Sequence, residues 1–187
     1  MFFYKGVCFR PIEKEDLENV RRLRNDPSTW LYLTSIGMIS KADQDVWFAK
    51  MQSARDKAYF AVFEGQEEFP LQMSGDFLGI IRCDEMDTDN KSIRIGADIV
   101  PDKRGKGWGT KVFDAILWFC FAEMNMHRVW LCVLEDNKVA KKMYTNAGLT
   151  EEGRLRDAVY RSGQYKDYIV MSILRPEYIN KNNLHII

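Results

Sequence analysis

Arg104-Gly105-Lys106-Gly107-Trp108-Gly109-Thr110 is the stretch on which the reading of this chain turns. An apolar run, Ile93 to Val100, precedes it and ends in Pro101. An apolar stretch of helical length, Val112 to Met124, follows it. A strand, a glycine-rich turn and a helix in that order form a cradle for phosphates. The amides at a helix start lack intrahelical acceptors, and the positive end of the helix dipole lies there. Glycines let the main chain come close to the ligand. Two common phosphate loops fail on spacing. Counted from Gly105, a nucleotide-triphosphate loop needs Gly and Lys where Thr110 and Lys111 stand. The dinucleotide fingerprint needs a third glycine where Thr110 or Val112 stands.

A second segment narrows the choice. Asn137 to Leu149 follows another apolar run, Val129 to Leu134. Val139, Ala140, Met143, Tyr144 and Ala147 recur at helical spacing, so they are expected on a buried face, with Lys138, Lys141 and Lys142 largely off it. Asp136 or Asn137 is the expected N-cap, and Gly148 stands where a helix C-terminal glycine belongs.

Arg104-x-x-Gly107-x-Gly109 after a strand resembles the acetyl-CoA pyrophosphate loop of the GNAT N-acetyltransferase superfamily. Asn137, Ala140, Tyr144 and Gly148 fit that family's Asn-x-x-Ala-x-x-x-Tyr-x-x-x-Gly-Phe pattern, with Leu149 in place of Phe. The resemblance runs over roughly residues 7 to 174. It is similar to the branch holding ribosomal-protein N-terminal, spermidine and amino-sugar nucleotide acetyltransferases. The resemblance implies an α/β (α+β) fold with a central mixed, mostly antiparallel sheet flanked by helices, and acetyl-CoA as co-substrate. It implies that the amides from Arg104 through Gly105, Lys106, Gly107, Trp108 and Gly109 to Thr110 hold the pyrophosphate, with charge added by Lys103, Arg104 and Lys106. Backbone groups of Ile99 and Val100 would pair with the pantetheine arm, an N–H near Val100 polarising the thioester carbonyl. Asn137 would touch that arm, Lys141 belongs with the cofactor set, and Tyr144 would protonate the leaving thiolate. Cys132 occupies the position of a glutamate base used in some relatives, so no base is identified; Glu85, Asp98, Glu123, Glu135 and His127 have no support.

Composition sets bounds. A chain of 187 residues, 46% hydrophobic and 29% charged, is expected to form a single domain over 1–187. With 27 basic and 27 acidic residues, bulk charge does not favour nucleic acid. Cys8, Cys83, Cys120 and Cys132 have no metal spacing, so no metal is expected and buried free thiols are. Met1 to Gly6 lacks a signal peptide's apolar region, and no run is long enough to span a membrane, so the expected location is cytoplasmic. A homodimer is compatible with all of this.

The expected elements are a strand at Val7–Arg10, helices at Glu15–Asn25 and Lys41–Gln52, and strands at Lys57–Glu64, Phe77–Asp84 and Ser92–Val100. A core helix at Lys106–Met124, a strand at Val129–Leu134, a helix at Asn137–Ala147 and two strands within Leu149–Ile173 complete the set. Ser28–Ile39 is expected to be irregular, with Trp30, Tyr32 and Thr34 beside the amine acceptor. A protein N-terminus or an amino-sugar nucleotide ranks first as acceptor. A polyamine ranks below, because Asp43, Asp45 and Asp56 are few and mixed with Lys41, Lys50, Arg55 and Lys57. A non-catalytic acyl-CoA-binding module and a Cys132 nucleophile are the remaining alternatives.

Overall fold

Phe77–Asp87 and Ser92–Ile99 are joined by a tight turn whose Asp87 carboxylate accepts from the amides of Asp89 (3.0 Å) and Asn90 (2.8 Å). That Asx geometry sets the hairpin. In a computed structural model, residues 1–33, 37–65 and 75–184 are described. Thr34, expected beside the amine acceptor, falls outside them.

The strands are β1 (Phe2–Tyr4), β2 (Val7–Pro11), β3 (Ala58–Glu64), β4 (Phe77–Asp87), β5 (Ser92–Ile99), β6 (Arg128–Leu134), β7 (Thr150–Arg161) and β8 (Gln164–Leu174). They hydrogen-bond in the order β1-β2-β3-β4-β5-β6-β8-β7. The chain divides into two compact units, residues 1–84 with 96–116, and residues 85–95 with 117–187.

In the first unit, β1, β2, β3 and β4 form antiparallel pairs. Helices α1 (Leu17–Asn25), α2 (Pro27–Trp30) and α3 (Lys41–Ser53) stand between β2 and β3 in sequence. Leu17, Val20 and Leu23 fall on one face of α1 and pack with Ile12, Phe48, Ala61 and Ile80. Ser40 caps α3, accepting from Asp43 N at 3.1 Å, while the Asp43 carboxylate accepts from Ser40 N. The spacing of Ala42, Val46, Ala49 and Phe48 predicts an amphipathic α3, but Val46 lies 55% exposed and Gln44 takes the buried face with Phe48. The stretch after Asp26 is not wholly irregular: Pro27 opens α2, and the Asp26 carboxylate accepts from Ser28 N at 2.9 Å.

In the second unit, β6 and β8 pair antiparallel from Arg128↔Leu174 to Leu134↔Tyr168, and β7 pairs outside β8. The parallel register of β5 with β6 runs only from Ser92↔Arg128 to Arg94↔Trp130, though β6 continues to Leu134. β7 is the edge strand. Its register shifts near Glu151–Gly153 and Leu155–Val159, and Asp157 has φ +51°. Those irregularities guard an exposed edge against further pairing. Helix α4 (Trp108–Trp118) gives way to a π-helical turn, Phe119–Glu123, closed by Met124 N–H to Phe119 O at 3.0 Å. Helix α5 (Lys138–Ala147) follows β6, and α6 (Arg175–Asn182) follows β8.

Candidate active site

The quoted loop takes the shape its glycines permit. Pro101–Lys103 makes one 3₁₀ turn, Gly105 has φ +70° and Gly107 φ +85°, and α4 begins at Trp108. Both values lie in the left-handed region that glycine adopts without penalty. The first bond back onto the turn is Lys111 N–H to Gly107 O, 3.2 Å. The N–H groups of Trp108, Gly109 and Thr110 therefore precede the intrahelical ladder. Gly105, Lys106, Gly107 and Thr110 are exposed, and a Cβ added at Gly105 or Gly107 meets no atom within 4 Å. This is an open row of donors at a helix start, suited to a pyrophosphate.

The flanking residues depart from expectation. Arg104 N–H donates to Pro101 O at 3.2 Å, so the open amides begin at Gly105. The Arg104 guanidinium is turned into the protein: Nε to Ile99 O (2.8 Å), Nη1 to Ser28 O (3.0 Å) and Ser28 Oγ (2.8 Å), Nη2 to Thr29 Oγ1 (2.5 Å). Lys103 pairs with Asp76 at 2.5 Å. Of the three cations expected to add charge, Lys106 alone is fully exposed. Val100 N–H donates to Leu78 O at 2.9 Å, because β5 is held against β4 at that point. That N–H is thus committed to the sheet.

In the second unit, Asn137, Lys141 and Tyr144 fall at i, i+4 and i+7 on one half-buried side of α5. Asn137 is the N-cap, its side chain accepting from Ala140 N at 3.2 Å. Gly148 closes the helix with φ +103°, and Leu149 N–H reaches Tyr144 O at 3.0 Å. Lys141 is ion-paired with Glu151 at 2.6 Å. Val139, expected on the buried face, is 84% exposed. The wholly buried side of α5 does not exist; its inner residues are all half-buried.

Among the described residues, no carboxylate stands out as a base. Glu135 accepts from Arg154 Nη1 at 2.8 Å, Glu85 pairs with Arg94 at 2.9 Å, and Glu123 is exposed. Asp98 is buried against Arg82 at 3.4 Å, and its charge also acts on Arg24, whose pKa burial pushes down. His127 serves the backbone of a turn, its N–H on Lys91 O (2.7 Å) and its carbonyl under Arg175 N–H (2.8 Å). Cys8, Cys83 and Cys120 are buried thiols, and Cys132 is half-buried.

A mixed sheet with a glycine-rich cradle opening its central helix defines a class of α/β proteins that bind phosphate-bearing ligands. The chain belongs to the GNAT acetyltransferase family: the family model described as an acetyltransferase (GNAT) domain matches residues 7–150. It is an acetyl-CoA-dependent N-acetyltransferase by membership of that family. A spermidine N(1)-acetyltransferase of Vibrio cholerae is 24% identical over 176 residues, covering 94% of this chain and 97% of the relative. The Escherichia coli K12 enzyme of the same name is 25% identical over 174 residues, covering 93% and 89%. A putative ribosomal N-acetyltransferase of Bacillus subtilis is 29% identical over 111 residues, 59% of this chain and 61% of the relative. Among solved structures, the Vibrio cholerae spermidine N-acetyltransferase in complex with CoA and spermine superposes with a TM-score of 0.85 at 24% identity, over 94% of this chain and 99% of that one. That likeness establishes the fold. No helix among the described residues is long and apolar enough to cross a membrane.

Proposed function

We propose that this chain transfers the acetyl group of acetyl-CoA to a primary amine of a polyamine. The observation that carries the cofactor half is the open row of amides from Gly105 to Thr110 at the start of α4. The acceptor half rests on the near full-length similarity to spermidine acetyltransferases of two organisms. That similarity moves the polyamine ahead of the protein N-terminus and the amino-sugar nucleotide, which the sequence had ranked first.

The residues take these roles. Gly105 to Thr110 hold the pyrophosphate through the main chain, with Lys106 adding charge. Ile99 lines the path of the pantetheine arm. Asn137, already a helix cap, offers its amide nitrogen to the same arm. Tyr144 donates a proton to the thiolate as the amine displaces it. The substrate ammonium first loses a proton to water, and the neutral amine then attacks, which needs no dedicated side-chain base.

A protein N-terminus stays as the second reading because of charge. Residues 17–56 hold six cations (Arg21, Arg22, Arg24, Lys41, Lys50, Arg55) against five acids (Glu18, Asp26, Asp43, Asp45, Asp56). Three of those acids are bonded internally, Glu18 to Arg21 and Arg22, and Asp26 and Asp43 at helix caps. A polycation gains little attraction from such a segment. Mass spectrometry of products formed from acetyl-CoA with spermine, spermidine and N-terminal peptides decides between them. Acetylated polyamine supports the first reading; acetylated peptide with untouched polyamine replaces it with the second. The solved Vibrio cholerae relative is described as dodecameric, so self-association of this chain is expected as well.

A further inference from the structure

We infer that Arg104 is a positioning residue for the acceptor side of the reaction and not a ligand of the cofactor phosphates. The inference rests on the acetyltransferase reading above.

A guanidinium has five N–H donors in a rigid fork. Four of the bonds Arg104 makes are internal: one to Ile99 O, two to Ser28 and one to Thr29. Its donors are nearly exhausted before any phosphate arrives. Thr29 is buried, so the hydroxyl that Arg104 grips is inside the protein and fixed in place. Arg104 thus fastens α2 to the first residue of the cradle, across 75 positions of sequence.

α2 needs such a fastening. It is four residues long, and a single helical turn has almost no stability of its own. Besides Arg104, polar contacts hold its surroundings from the other end. Asn25 accepts from Met38 N (2.8 Å) and Ile39 N (2.7 Å) and donates to Ile39 O (2.9 Å). The turn leaving α2 presents Leu31 and Tyr32 to solvent, Tyr32 at 47% exposure. In this inference Leu31 and Tyr32 form part of the surface the acceptor meets. Their placement depends on α2, and Arg104 ties α2 to the cradle through Ser28 and Thr29.

The chemistry predicts which constants respond. If the cradle binds phosphate through its main chain, removing the Arg104 side chain leaves CoA affinity nearly intact. The acceptor surface, cut loose, costs affinity for the amine. Neither effect requires a change in the chemical step.

The test compares the native chain with Arg104→Met, Arg104→Lys and Thr29→Val. Titration calorimetry gives the CoA Kd, and initial rates give kcat and the amine KM, with spermine as the first probe and N-terminal peptide as the second. Arg104→Met is expected to raise the amine KM by about tenfold or more, within the usual range for coupling between contacting groups, while CoA Kd and kcat stay within about threefold. Arg104→Lys, a point charge without the fork, does not restore the KM. Thr29→Val, which removes one acceptor and little volume, raises the KM in the same direction and adds little on top of Arg104→Met. That second variant keeps the test valid if Arg104→Met fails to fold. A tenfold or greater weakening of CoA with unchanged amine KM overturns the inference and makes Arg104 a phosphate ligand. Unchanged constants throughout overturn it too. Absence of CoA binding by the native chain defeats the cofactor reading and takes the inference with it.

Discussion

Replacing Gly107 by valine separates the cost to the fold from the cost to the cofactor. Gly107 has φ +85°, and a Cβ built there meets nothing within 4 Å. No clash opposes the side chain, so the structural penalty is the backbone one, about 1–2 kcal/mol for an L-residue in the left-handed region and somewhat more for a β-branched one. Against a stability of about 5–15 kcal/mol the chain stays folded. The backbone relieves its strain by leaving positive φ, which swings the peptide planes around Lys106 to Trp108. Each N–H donating to a phosphate oxygen is a charge-assisted bond of about 1.5–3 kcal/mol, so losing one weakens CoA by about 10- to 100-fold. Calorimetric titration with CoA and with pantetheine, which has no phosphate, reads this directly. CoA affinity falls and pantetheine affinity does not. Unchanged CoA affinity in a folded Gly107→Val protein refutes the cradle, as does equal weakening of both ligands.

Tyr144→Phe lowers turnover by about 10- to 1000-fold, the range for losing acid catalysis, and leaves CoA binding intact; unchanged turnover makes Tyr144 structural. Gly79→Ala destabilises by more than about 3 kcal/mol in denaturant titration, because its Cβ would lie 2.0 Å from Asp98 O with φ at +150°, and a loss under 1 kcal/mol contradicts the tight approach of β4 and β5. The Glu152 carboxyl is held at about 2 chiefly by its bond to Arg128, with burial opposing, against an ordinary value of 4.5. Its folded-state pKa is depressed, so the pair contributes above about pH 4.5 and is lost as pH falls toward 2. With the Glu152 side chain 38% exposed the contribution is at most about 1 kcal/mol. Glu152→Gln therefore costs stability at pH 7 and less as pH falls through about 2, and an NMR titration of Glu152 near 4.5 removes the claim.

What the sequence made legible was whatever is written in local spacing. The cradle glycines, the Asn137 cap and the Gly148 stop are each a few residues long and act within their own turn. β1 carries a local signal too: Lys5 and Gly6, at φ +46° and +80°, form the two-residue link between Tyr4 and Val7 that a hairpin demands. α6 carries its own signal in Pro176 at its first turn and Glu177 bonding Leu174 N at 2.8 Å. The widening of α4 into a π turn has no such marker, since Phe119 to Glu123 holds neither glycine nor proline. Val139 and Val46 misled because helical spacing locates an apolar stripe but not which flank of it meets the sheet. Arg104 misled for a different reason. Its neighbours in the motif suggest phosphate, whereas its partners Ser28 and Thr29 lie far away in sequence, and no local pattern names a long-range hydrogen bond. The acceptor class was least legible, because it depends on the sum of charges across several elements and not on any motif.

Thiol release from acetyl-CoA, followed continuously with the native chain and spermine at neutral pH, tests the central claim most directly. The account predicts saturable release that requires both substrates and yields an acetylated amine. Measurable CoA binding without release in the presence of spermine, spermidine, N-terminal peptides or amino-sugar nucleotides would contradict it and leave a protein that holds acyl-CoA without transferring from it.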